Sequence, residues 1–169
     1  QYDVTHFGGA PIVLNMIANA PKEDQKKLKR KVNVLTAGAP PPSIIFEKMN
    51  NLGFDVMHVY GLTETYGHIL QCAWNKEWDD LDKDKKNEIK ARQGVRYPNT
   101  EGVIVMDPET MKPTPSDGKT MGEIMIRGNV VMKGYFKDKE ATEKSMEGGW
   151  FHSGDLAVTH PSGYIKIQD

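Results

Sequence analysis

Two short apolar runs, with a helix-spaced segment between them, constrain the fold of this chain more than any other feature. Val32–Thr36 reads as a buried strand, and Asp55-Val56-Met57-His58-Val59 as a second one. Between them, Pro40-Pro41-Pro42 excludes helix and enforces an extended loop. Ser43 then suits a helix cap, with Ile45, Met49 and Leu52 on one face and Gly53 at the end. Upstream, residues 4–7 read as a strand, and Pro11 opens a helix with Ile12, Val13, Met16 and Ile17 at helical spacing. Residues 20–31 are polar and read as a second, solvated helix. This alternation specifies an α/β fold with a mostly parallel sheet and flanking helices, in which ligands gather at the carboxyl ends of the strands.

The loops that follow the strands are therefore the places for chemistry. Val59-Tyr60-Gly61-Leu62-Thr63-Glu64-Thr65 sets a ring, a hydroxyl and a carboxylate on one tight turn at a strand end. That set suits a nucleotide: a ring to stack on a base, a hydroxyl for a phosphate, a carboxylate for a divalent cation. Far down the chain, Ser153-Gly154-Asp155 offers a second turn, whose carboxylate can accept from ribose hydroxyls. The charge-dense residues 76–92 read as a solvated helix.

From Gly102 onward the pattern changes. Residues 103–106, Gly122–Arg127 and 164–167 read as strands separated by Asp107-Pro108, Ser116-Asp117-Gly118 and Pro161-Ser162-Gly163, with one short helix near 140–146. A boundary near Gln93-Gly94-Val95 divides an α/β subdomain, 1–94, from a smaller β-rich, barrel-like one, 95–169. Composition removes other classes. With 38% apolar residues, 27% charged and a net charge of −1, nothing favours binding to nucleic acid or an anionic membrane. No run approaches the roughly 18 apolar residues that a membrane span needs. Cys72, the one cysteine, cannot form an internal disulfide and reads as a small buried residue, so a reducing, cytoplasmic setting is the default. No His/Cys spacing marks a metal site. The chain lacks an initiator Met and stops inside a strand-like run, as a fragment of a longer protein would.

Three segments, in order, resemble the adenylate-forming (AMP-binding) superfamily of acyl-CoA synthetases, luciferases and peptide-synthetase adenylation domains. Tyr60-Gly61-Leu62-Thr63-Glu64-Thr65 is similar to its adenine and metal motif. Gly122-Glu123-Ile124-Met125-Ile126-Arg127-Gly128, running on to Val131-Met132-Lys133-Gly134-Tyr135, is similar to its β-rich motif. Gly149-Trp150-Phe151-His152-Ser153-Gly154-Asp155 is similar to its ribose motif. The resemblance implies that Tyr60 stacks on adenine with its hydroxyl in water, and that Thr63 donates to the α-phosphate. It also implies that Glu64 binds Mg²⁺ and that Asp155 holds the ribose. Gly38-Ala39-Pro40 resembles the segment lining the other face of the base, and His58 and Gly61 join the cofactor-binding set. Phe7-Gly8-Gly9 resembles one wall of the carboxylate pocket; Gly61, Gly67 and His68 resemble the opposite wall.

The implied activity is an ATP-dependent acyl-CoA synthetase using ATP, Mg²⁺ and CoA on a fatty or aromatic carboxylate, with short, medium and longer acids all open and a medium-length or aromatic acid preferred. The family's upstream phosphate loop and its C-terminal domain have no match here, so the fragment alone is expected to be inactive. Leu62, where carrier-loading adenylation domains commonly have Pro, favours the CoA ligase over that alternative. A non-catalytic adenine-nucleotide module is the third reading.

Overall fold

The computed structural model describes residues 3–26, 28–38 and 42–168. Its first three strands, β1 (His6–Gly8), β2 (Val32–Thr36) and β3 (Phe54–Leu62), pair in parallel, with Phe7 opposite Val34 and Val34 opposite Val56. That row faces the helices α1 (Pro11–Ala18) and α2 (Ser43–Asn51), and Leu14, Ala18, Ile45, Phe46 and Met49 close the core over it. Each large aliphatic side chain so buried contributes roughly 1.5–3 kcal/mol. The alternation of β2 is the cause of this arrangement: Val32, Val34 and Thr36 are buried, whereas Asn33 and Leu35 are exposed on the other face.

Several local expectations change. In α1, Leu14 and Ala18 face the core, four residues apart, whereas Ile12, Val13 and Met16 are exposed. Among the described residues of 20–31 there is a turn at Pro21–Gln25 and no helix. Leu28 is the one large apolar side chain of that segment, so a helix there would have no apolar stripe to bury. Ser43 is the first helical residue of α2, and the capping position falls to Pro42, which has no side-chain acceptor. Residues 76–92 form a short 3₁₀ turn, Lys76–Asp80, and a separate helix, α3 (Lys83–Lys90). The break lies at Asp82, whose carboxylate caps α3 by accepting from the Lys85 N–H at 2.9 Å.

The chain divides into two compact units, Gln1–Val59 with Cys72–Arg92, and Tyr60–Gln71 with Gln93–Asp169. Residues 60–71, which the sequence places in a 1–94 subdomain, thus fold with the second unit. In that unit β4 (Gly67–Gln71) pairs antiparallel with β5 (Val95–Arg96). A second, wholly antiparallel sheet contains β6 (Gly102–Asp107), β7 (Lys112–Pro113), β8 (Gly122–Arg127), β9 (Phe151–Thr159) and β10 (Ile165–Ile167). Its order is β10-β9-β8-β6-β7, with the short helix α4 (Lys139–Ser145) between β8 and β9 in sequence. Ile124, Ile126, Val105, Phe151, Ala157 and Ile165 form its core together with Tyr60, Ile69 and Leu70. Among the described residues no helix is long and apolar enough to cross a membrane.

Candidate functional site

The sequence puts Tyr60 at a strand end; β3 instead continues through Tyr60 and Gly61 to Leu62, and the turn begins at Thr63. Gly61 makes this possible. A Cβ at that position would lie 2.0 Å from the Gly67 carbonyl oxygen and 2.6 Å from the His68 Cα, so only glycine lets the two backbones cross. The 3₁₀ turn Thr63–Thr65 is held from inside by Thr65, which is buried. The Thr65 hydroxyl accepts from the Leu62 N–H at 2.9 Å and donates to the Gly67 carbonyl at 2.9 Å. Thr63 is an exposed residue of this turn.

Glu64 lies in the same turn, backed by the loop after β8. The Met132 N–H donates to the Glu64 carbonyl at 2.7 Å, and the Tyr135 hydroxyl donates to Glu64 Oε1 at 3.1 Å. With Oε1 so engaged, Oε2 is the oxygen left to meet a cation. Among the described residues no group of three or more His, Cys, Asp or Glu side chains could cage a metal. A single carboxylate fits Mg²⁺ bound mainly by phosphate oxygens and water, and does not fit a cation held by protein alone.

Tyr60 and Asp155 come together although 95 residues separate them: the tyrosine hydroxyl donates to Asp155 Oδ2 at 2.5 Å. The hydroxyl is therefore not in water, as the sequence implies, and the ring is packed into the apolar core with 7% of its surface exposed. Burial first, and then the bond to Asp155, raises the phenol far above its ordinary range, so it remains a donor.

Asp155 does not lie on a turn between elements either. Ser153, Gly154 and Asp155 form a bulge inside β9, because His152 pairs with Met125 and Leu156 with Glu123, which leaves these three opposite Ile124 alone. Gly154 has φ +78°, a left-handed conformation that suits glycine.

Glu123 braces this bulge and was not singled out as a site residue from the sequence. Its Oε1 accepts from the Gly154 N–H at 2.7 Å and its Oε2 from His152 Nδ1 at 3.1 Å, while His152 Nε2 reaches the Glu147 carbonyl at 3.2 Å. The signal for it was present: a carboxylate within the apolar strand Gly122–Arg127 must find donors when buried. Tyr135 and Thr65 gave no comparable signal, since exposed tyrosines and loop threonines are common.

The remaining candidate residues lie elsewhere. His68 sits edge-on to Tyr97, with ring centroids 4.4 Å apart, next to Gly67 in the second unit. In the first unit His58 is buried, and its Nε2 donates to the Gly38 carbonyl at 3.1 Å, so two of the proposed cofactor-binding residues meet. Burial holds the His58 pKa below the ordinary histidine value and outweighs the stabilising backbone carbonyls of Gly38 and Arg92. Ala39 and Pro40 lie outside the described residues. Phe7 turns its ring into the core, edge-on to Phe54 at 5.9 Å, whereas Gly8 is exposed. A cavity of about 830 Å³ in this unit is lined by Phe7, Gly8 and His58 together with Leu35, Met57 and Trp74. Cys72 is buried, donates to the Ile89 carbonyl at 3.2 Å, and has its thiol pushed up to about 11, chiefly by burial.

The model of one enzyme family, described as "AMP-binding enzyme", matches residues 1–136. The chain belongs to the AMP-binding enzymes. Within this family it is 57% identical over its whole length to an acetate/butyrate–CoA ligase of Arabidopsis thaliana, named as peroxisomal. It is 58% identical to an acetate–CoA ligase of Humulus lupulus. In both cases it spans only 30% of the relative's length. Among solved structures it resembles the O-succinylbenzoate coenzyme A synthetase of Bacillus subtilis, determined with ATP and a magnesium ion, at a TM-score of 0.77 and 25% identity. That match covers 98% of this chain and 31% of the other. The α/β unit followed by an antiparallel sheet is thus the fold of an adenylate-forming enzyme.

Proposed function

We propose that this chain is the nucleotide-reading part of an acyl-CoA synthetase. In a first step, an oxygen of the substrate carboxylate attacks the α-phosphorus of ATP and the bond to pyrophosphate breaks, giving an acyl-adenylate. In a second, the CoA sulfur, having lost its proton, attacks the acyl carbon and AMP leaves with the bonding electrons. The observation that carries the nucleotide reading is the 2.5 Å bond between Tyr60 and Asp155, which joins the two residues assigned to base and ribose. The names of the relatives carry the rest: they are ligases for acetate, butyrate and, at 48% identity, 2-methylpropanoate. A short aliphatic acid therefore replaces the wider range of acids that the sequence left open.

In this reading Tyr60 supports adenine and Asp155 accepts from the ribose hydroxyls. The hydroxyl of the exposed Thr63 donates to the α-phosphate as negative charge builds on it. Glu64 would hold Mg²⁺ through one oxygen, and the cation would offset the negative charge of the phosphates. Gly38 and His58, with Ala39 and Pro40, are assigned to the other face of the base. Phe7, Gly8, Gly9, Gly61, Gly67 and His68 are assigned to the carboxylate pocket. The buried Cys72 suits a compartment that keeps thiols reduced, whether cytoplasm or the interior of an organelle. The decisive experiment presents the full-length protein with straight and branched acids of two to five carbons. ATP-dependent pyrophosphate release and CoA thioester formation are then measured. Thioesters of acetate, butyrate or 2-methylpropanoate are expected; pyrophosphate release with none of the acids would end the proposal.

A further inference from the structure

We propose that Tyr60 and Glu123 are positioning residues for Asp155, fixing its carboxylate in the orientation that accepts both ribose hydroxyls of a bound adenine nucleotide. The proposal rests on the assignment of Asp155 to ribose made above, and it adds a second role for Tyr60. A ring only 7% exposed supports a base over little surface, whereas its hydroxyl hydrogen is donated to Asp155 Oδ2 at 2.5 Å. That bond fixes the side-chain torsion of the aspartate from the β3 side.

Glu123 fixes the backbone that carries it. A bulge of this kind has no ladder partner of its own, and Gly154 at φ +78° has wide conformational freedom. The Glu123 carboxylate removes that freedom, with one oxygen on the Gly154 N–H at 2.7 Å and the other on His152 at 3.1 Å. Ser153 adds a third restraint, its Oγ accepting from the Asp155 N–H at 3.1 Å. Side chain and backbone of one ligand residue are thus held separately, by two residues that need not touch the ribose themselves. A carboxylate that must meet two hydroxyls at once gains more from such preorganisation than one that meets a single donor.

The test compares AMP with 2′,3′-dideoxy-AMP, which keeps base and phosphate but offers no ribose hydroxyls. Equilibrium dissociation constants are measured on the full-length protein, with thermal melts as a control for folding. Tyr60→Phe keeps the ring and is expected to narrow the preference for AMP over the dideoxy analogue about fivefold, while binding of the analogue moves less than about twofold. Glu123→Ala narrows the preference as well. Glu123→Gln, whose amide oxygen can still accept from Gly154, restores most of it. Equal losses for both ligands in Tyr60→Phe, or an unchanged preference there, would overturn the proposal. Asp155→Ala separates the two levels of the argument. If it keeps the full preference, the ribose assignment fails and this inference with it. If it loses the preference while Tyr60→Phe and Glu123→Ala keep theirs, only the positioning roles fail.

Discussion

The second unit holds two carboxylates assigned to one nucleotide, and their surroundings differ sharply. Asp155 is gripped by a buried tyrosine hydroxyl, on a strand bulge that a buried glutamate ties down. Glu64 is touched through one oxygen by an exposed tyrosine at 3.1 Å and stands on a three-residue turn. A ribose has a fixed shape, so the group that reads it benefits from rigidity. Phosphates and a hydrated cation rearrange as a bond breaks, and a ligand for them must follow. On the proposed assignments, the more heavily bonded carboxylate is the one given to the partner of fixed shape, and the less heavily bonded one is given to partners that rearrange.

That contrast can be tested by substitution. The largest effect is expected from Gly61→Ala, because its methyl group would meet backbone at 2.0 Å rather than a side chain that can move. A loss of about 3 kcal/mol or more in a denaturant titration, with Glu64 displaced along with the strand crossing, is the expected outcome. Wild-type stability would mean that the crossing is looser than described.

Next comes the pair of carboxylates themselves. Asp155→Ala is expected to weaken AMP binding, measured without metal, at least tenfold, or about 1.4 kcal/mol. Glu64→Ala is expected to leave that affinity within about twofold and to slow pyrophosphate release at least tenfold. Equal effects of both variants on metal-free AMP binding would erase the distinction between the two ends.

A brace in the first unit supplies a neutral counterpart. His58 is buried and its pKa is held below the usual 6.5, so folding favours the uncharged ring. The sign follows: its contribution to stability is complete above that value and is lost as pH falls through the depressed one. Chemical denaturation at a series of pH values is expected to lose stability on acidification in the wild type, and less steeply in His58→Gln. Parallel slopes in the two proteins would contradict the assignment. The smallest effect is expected from Tyr135→Phe, which removes the one side-chain bond described for Glu64. The Mg²⁺ concentration giving half-maximal activity should rise about two- to threefold, a few tenths of a kcal/mol, while metal-free AMP affinity stays unchanged.

The sequence showed where periodicity and burial act together. Val32–Thr36, the Ile45 and Met49 face of α2, and Gly122–Arg127 all read correctly, because each buries apolar side chains at the spacing of its element. Residues 20–31 misled because polarity suits a surface helix and a surface turn equally, and Leu28 alone could not decide. Tyr60 and Asp155 were each visible by residue type; their bond to one another was not, since 95 residues of chain say nothing about which two ends meet. Ser153-Gly154-Asp155 read as a turn because turns and bulges draw on the same residues. Only pairing with β8 tells them apart, and that pairing also explains why Glu123 escaped notice until its partners were in place.

The bulge has a consequence for insertions and deletions. Two more residues lie between His152 and Leu156 than between their partners on β8, and an even number leaves the in-and-out alternation beyond the bulge undisturbed. Deleting both would leave a regular antiparallel pairing of β8 and β9, sound in its core but without a carboxylate aimed at a ligand. Deleting one would instead turn Ala157 and Val158 over, each to the face of the other. At this point in the chain, losing one residue does more harm than losing two.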